Sequence, residues 1–167
     1  MARPRLLTAL TLATAFLADG ALAQMPPAIA APDEEIVATF RAEGAQIYEC
    51  KPGNDGKLAW VFREPIATLL LDDKTVGRHY AGPTWEHRDG SAVTGKAVGN
   101  APGATVNDIP WLKLDVVNRR GSGTLADVTT VQRINTRGGA AQGACNQAGV
   151  FRSVPYSGDY VFLSKRK

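Results

Sequence analysis

From Glu34 onward, short runs rich in Val, Ile, Thr and aromatic residues are broken by Gly, Asn, Asp and Pro about every ten residues, the rhythm of an all-β chain. The pattern predicts about nine strands, at 34–42, 46–51, 57–63, 66–72, 75–80, 91–98, 111–118, 124–136 and 156–164. Pro52-Gly53-Asn54-Asp55-Gly56 and Asp72-Asp73-Lys74 read as hairpin turns, because their Gly, Asn and Asp residues tolerate the positive φ such turns require. Leu112, Leu114 and Val116 alternate with Lys113, Asp115 and Val117, which puts one face of that strand in a core and the other in water. No segment supports a helix longer than a turn or two. So many strands in one compact domain must dispose of their edges, by closing a barrel or stacking two sheets, and the pattern does not choose between them.

The N-terminus breaks this rhythm. Arg3 and Arg5 precede an apolar run, Leu6 to Leu17, too short to span a bilayer, and Ala21-Leu22-Ala23 supplies the small residues of a signal-peptidase site. Residues 1–23 are expected to be a signal peptide cleaved after Ala23, which places the protein in the periplasm or outside the cell without a membrane span in its mature form. No cysteine follows the site and the two arginines are separated by Pro4, so neither lipid anchoring nor a twin-arginine signal is indicated. Residues 24–33, with three prolines, read as a linker, 34–164 as one all-β domain and 165–167 as a basic tail. The formal net charge of the whole sequence is only +3, which gives no footprint for nucleic acid.

Export gives the two cysteines a meaning. Cys50 and Cys145 stand alone and far apart, and in an oxidising compartment such a pair closes a domain with a disulfide. A metal site built on them is disfavoured, since there is no C-x-x-C spacing and the sequence holds only two histidines.

Chemistry is harder to find. Gly121-Ser122-Gly123-Thr124-Leu125-Ala126 has the letters of a dinucleotide fingerprint, but the β-branched run Val128-Thr129-Thr130-Val131 follows it where a helix must open, so a hairpin turn is expected and no cofactor. Ser122 and Ser157 lie beside glycines without forming a nucleophile elbow. The densest polar cluster runs from Gly77 to Gly90 and holds both histidines. His79 and Glu86 have the chemistry of an acid/base pair, and His79, Glu86 and His87 that of metal ligands, if the Gly82-Pro83 turn folds them together. The structural alternative makes Gly82-Pro83 a plain turn, Trp85 a core or rim aromatic and 87–90 an exposed hairpin tip. Trp60, Trp85, Trp111 and Tyr80 are candidates for a sugar-stacking platform.

The residues favour a binding or interaction module over an enzyme, with Arg78, His79, Tyr80, Gly82, Pro83, Thr84, Trp85 and Glu86 as the contact segment. Within it, His79 and Glu86 are the polar anchors and Trp85 the aromatic contact. No residue is assigned as catalytic or as a metal ligand. The expected partner is an envelope protein, a glycan or a small ligand; a small periplasmic enzyme or metal-binding protein using His79 and Glu86 is the alternative.

Several ordered blocks carry a resemblance: Gln46-Ile47-Tyr48-Glu49-Cys50, Trp60-Val61-Phe62, Ala67-Thr68-Leu69, the run from Val76 to Glu86, Ile109-Pro110-Trp111-Leu112, and Val131 to Gly139 continuing to Cys145. Together they resemble the bacterial and fungal domain-of-unknown-function family numbered 3455, over about residues 34–162. That resemblance implies a secreted domain without an established activity, centred on the block His79 to Glu86, with His87 outside it. A fainter similarity, in the order Tyr48-Glu49-Cys50, the hairpin 69–76 and the segment 78–85, is to the membrane-bound or periplasmic lysozyme inhibitors, which are small β-barrels; their Ser-Gly and Lys-Gly loop residues are not clearly matched here. Intact-mass analysis of the exported protein should find Gln24 as the first residue, and a mass that retains Met1 to Ala23 would exclude cleavage.

Overall fold

In the computed structural model, which describes residues 25–166, the alternating segments form eight strands. They are β1 (Glu34–Pro52), β2 (Leu58–Leu71), β3 (Lys74–Tyr80), β4 (Thr84–His87), β5 (Ala92–Ala101), β6 (Trp111–Arg120), β7 (Thr130–Gly138) and β8 (Phe151–Lys165). Each pairs antiparallel with the next, and β8 returns to β1, so the sheet closes as a barrel. The all-β expectation is met, and of its two architectures the barrel is the one formed. The expected signal peptide lies outside the described residues.

The strand count differs from the expected nine for local reasons. Segments 34–42 and 46–51 are one strand, because Gly44 does not break β1: a Cβ there would overlap the Ile66 carbonyl oxygen of β2, so glycine permits the close approach of the two strands. Segments 57–63 and 66–72 merge likewise. Pro65 sits in the half of β2 that has β1 as its one ladder partner, where a missing N–H is tolerated. No strand is expected over the four residues of β4, of which His87 alone falls in the expected hairpin tip; the strand is too short for its alternation to stand out between the glycine turns at 82 and 90.

Residues 124–129, expected as the start of a strand, instead form a plug. The Asp89 carboxylate accepts the Thr124 N–H at 2.8 Å and the Ser91 hydroxyl at 2.6 Å, while the Ser91 oxygen accepts the Leu125 N–H at 3.1 Å. These side-chain acceptors replace ladder bonds, as Asp and Ser do in turns. Leu125 and Val128 are thereby fully buried under the end of the barrel, together with Phe40 and Val93.

The proline-rich stretch before β1 also does more than connect. Pro27–Ile29 forms a single 3-10 turn whose Ile29 is fully buried, the Gln132 amide donates to the Ile29 carbonyl at 2.6 Å, and Lys113 donates to the Ala30 carbonyl at 3.1 Å. At the other end of the domain, β8 runs through Lys165, so the expected basic tail starts inside a strand; Lys167 is outside the described residues.

The barrel interior follows the period-two pattern. Phe40 and Ala42 of β1, Ala67 and Leu69 of β2, Trp85 of β4, Val93 of β5, Leu114 of β6, Val131 of β7 and Tyr156, Tyr160 and Phe162 of β8 form one contiguous core. At the end opposite the plug, Cys50 and Cys145 are bonded, with Cα atoms 5.9 Å apart, which pins the β7–β8 loop to the tip of β1. Backbone bonds between Cys50 and both Gly149 and Val150 flank the bridge. Loop-closure entropy for a bridge with sequence separation 95 amounts to about 4–5 kcal/mol. A Cys50→Ser/Cys145→Ser double variant should lose about that much stability in urea unfolding, and an unchanged midpoint and slope would show that the bridge does not constrain the unfolded chain.

Candidate functional site

Strand alternation divides the segment 78–86 between the two faces of the sheet. His79 and Trp85 point into the barrel as a directly opposed pair of β3 and β4. Their rings stack with centroids 4.5 Å apart and planes 7° from parallel, and the Tyr160 ring of β8 meets both, at 4.9 Å and 5.3 Å. Gly95 of β5 makes room for the indole, since a Cβ there would stand 3.1 Å from Trp85 Cζ3. Trp85 is 1% exposed and His79 2%.

His79 is consequently a neutral imidazole. Its Nδ1 donates to the Thr84 carbonyl at 2.9 Å, which leaves Nε2 as the lone-pair acceptor. Burial pushes its pKa down to about 3; the Thr84 contact opposes the shift and the Arg133 charge adds to it.

Arg78, Tyr80 and Glu86 point outward and form a separate cluster. Arg78 pairs with Glu86 at 3.1 Å, Arg120 of β6 pairs with it at 2.9 Å, and the Tyr80 hydroxyl donates to it at 2.9 Å. The Tyr80 hydrogen bond, joined by those from Arg78 and Arg120, holds the Glu86 carboxyl below its usual range. Thr84 faces the same side, its hydroxyl 3.2 Å from that of Thr94.

His79 and Glu86 therefore do not form an acid/base pair: one is sealed inside the wall, the other locked outside it. Nor does His87 join them. It lies toward the plugged end, stacked 5.6 Å from Phe40 and 2.8 Å from the Asp89 carboxylate, so it is not part of an exposed tip. Among the described residues no group of three or more His, Cys, Asp or Glu side chains is placed to hold a metal ion. The aromatic platform is not assembled either, because Tyr80 faces outward and, of the three tryptophans, Trp85 alone borders the cavity described next.

That cavity, about 530 Å³, opens beside the His79–Trp85 stack. It exists because neighbouring strands differ in length. β3 meets β2 from Ala67 onward, so Phe62 and Pro65 lie beyond it; β4 meets β5 up to Thr94, so Lys96 and Ala97 lie beyond that pairing. Between these two overhangs, the Gly82-Pro83 turn forms the lip, Leu112 and Leu114 the far wall, and His79, Trp85 and Tyr160 the floor, with Arg133 of β7 at the side. Gly82, Pro83, His79 and Trp85 are thus the members of the expected segment that line it. The segment reading missed Phe62, Pro65, Ala97, Leu112, Arg133 and Tyr160. Two signals were available for the last two: Arg133 shares the inward parity of Val131, and Tyr156, Tyr160 and Phe162 form an aromatic stripe of even spacing.

A family model described as "Protein of unknown function (DUF3455)" matches residues 31–73 and 70–164. The chain belongs to the DUF3455 family. No curated protein and no solved structure matches it. The two DUF3455 matches overlap in the β2–β3 turn, where Asp72 and Asp73 adopt positive φ, and every cavity residue from Phe62 to Tyr160 falls within them.

The neutral His79 gives this DUF3455 domain a pH signature. In the unfolded chain the same side chain titrates near 6.5, so between about 6.5 and 3 the unfolded state binds a proton that the folded state refuses. Its contribution is intact above pH 6.5 and falls by about 1.4 kcal/mol per unit as the pH drops toward 3. Urea unfolding between pH 6.5 and 4.5 should show a slope that His79→Asn lacks. Imidazole NMR of the folded parent protein at pH 4.5 should find His79 unprotonated, and a protonated ring would refute the assignment.

Proposed function

We propose that this protein is an exported binding module that takes a small, largely apolar molecule into the mouth of its barrel. The observation that carries the reading is the cavity itself, about 530 Å³, within the range of small-ligand sites and lined mainly by apolar and aromatic side chains. Barrels of eight strands are wide enough to hold one small ligand, and His79, stacked between its hydrogen bond to Thr84 and the Trp85 ring, offers a rigid floor. Of the three partner classes considered from the sequence, a small ligand suits a concave, aromatic-floored site better than a flat protein epitope does.

Export is supported by the N-terminal pattern of residues 1–23 and by the disulfide, which suits an oxidising compartment. No helix among the described residues is long and apolar enough to cross a membrane. The barrel's outer face carries paired charges such as Arg41 with Glu43 and Arg78 with Glu86, where a lipid-facing barrel would carry an apolar band.

The test uses N-phenyl-1-naphthylamine, a neutral apolar dye whose emission rises in dry surroundings, with the mature disulfide-bonded protein. Saturable uptake is expected in the parent protein. Ala97→Trp, at an exposed position on the rim, should reduce uptake at least tenfold while leaving the unfolding midpoint unchanged. Equal uptake by both proteins would remove the cavity from consideration.

A further inference from the structure

We infer that the ligand is an acid: an apolar body bearing a carboxylate, with the carboxylate held by Arg133. This rests on the apolar-cavity reading above and adds the chemistry of the head group. Two of the residues lining the cavity, Arg133 and Lys96, are cations, and none is Asp or Glu. Among the described residues Arg133 belongs to no ion pair. Its Nε and Nη2 donate to the Pro110 carbonyl at 3.1 Å and 2.9 Å, which orients the guanidinium without neutralising it. The charge nonetheless reaches the interior: it lowers the pKa values of His79, Tyr156 and Tyr160, and no carboxylate acts on any of these three in the opposite sense.

The site therefore presents a guanidinium with no ion-pair partner among the described residues, beside apolar walls that carry no carboxylate. A ligand carboxylate supplies the missing negative charge, and its two oxygens match the planar fork of a guanidinium. The hydrocarbon part then lies against Phe62, Pro65 and Leu112. An apolar amine is disfavoured by the same charges, and an alcohol leaves Arg133 unneutralised.

Competition against N-phenyl-1-naphthylamine tests this with decanoate, decanol and decylamine below their aggregation limits, at pH 7.5 and low salt. Decanoate is expected to displace the dye at a concentration at least tenfold lower than decanol, with decylamine weakest. Arg133→Gln should weaken decanoate about tenfold and leave decanol unchanged, and Arg133→Lys should restore most of the difference. Unfolding midpoints of the three proteins distinguish lost binding from lost folding. If dye uptake is normal but decanoate and decanol compete equally in both the parent and the glutamine variant, the acid is refuted while the apolar cavity stands. If neither dye uptake nor decanoate heat in calorimetry is seen with the parent protein, both readings fall together.

Discussion

The ladder between β1 and β8 is the constraint on which the remaining structure depends. It runs from Glu34 against Lys165 to Glu49 against Phe151, nearly the length of both strands, and converts an eight-strand meander into a ring. Once the ring is closed, every residue of its paired stretches must face either the interior or water. Closure thus decides that His79 and Trp85 are internal and that Arg78, Tyr80 and Glu86 are external. The two groups are one residue apart in sequence, but the thickness of a sheet separates their chemistry.

Closure also makes the two ends of the ring unequal. At one end Asp89 and Ser91 hold the 124–129 loop so that Leu125 and Val128 fill the opening. At the other end β3 and β4 stop short while β2 and β5 continue, and no side chain from the intervening Gly82-Pro83 turn is large enough to fill the gap. The cavity is therefore a product of strand length. A longer β3–β4 hairpin would pair the overhangs of β2 and β5 and close it.

The all-β class, the disulfide partners and most strands were legible in the sequence, because period-two alternation and two distant cysteines in an exported chain are strong local signals. The Gly77 to Gly90 cluster also marked a real region, since His79, Gly82, Pro83 and Trp85 line the cavity. What the cluster could not convey was which members act together. Proximity along a strand favours neighbours that alternation sends to opposite faces, whereas the true companions of His79 and Trp85 are Tyr160 on β8 and Arg133 on β7, brought alongside by ring closure. The plug was misread for a related reason. Leu125 and Val128 look like strand residues, and the acceptors that hold them off the ladder, Asp89 and Ser91, are more than thirty residues earlier.

A rigid floor affects how any ligand is received. The polar groups around the floor are each held by a bond outside the cavity or in the core: His79 by the Thr84 carbonyl, Tyr160 by the hydroxyl of Tyr156 at 3.2 Å, and Arg133, at the side, by the Pro110 carbonyl. Binding then requires little reordering of the floor, so less of the interaction free energy is spent on fixing side chains. The same rigidity narrows the chemistry. A neutral His79 with its one proton committed to Thr84 does not chase charge as the pH falls through the neutral range, and Glu86 is too firmly held outside to swing inward. Arg133 is left beside the floor without an ion-pair partner among the described residues, so on the proposed reading the barrel mouth would select by sign before it selects by shape.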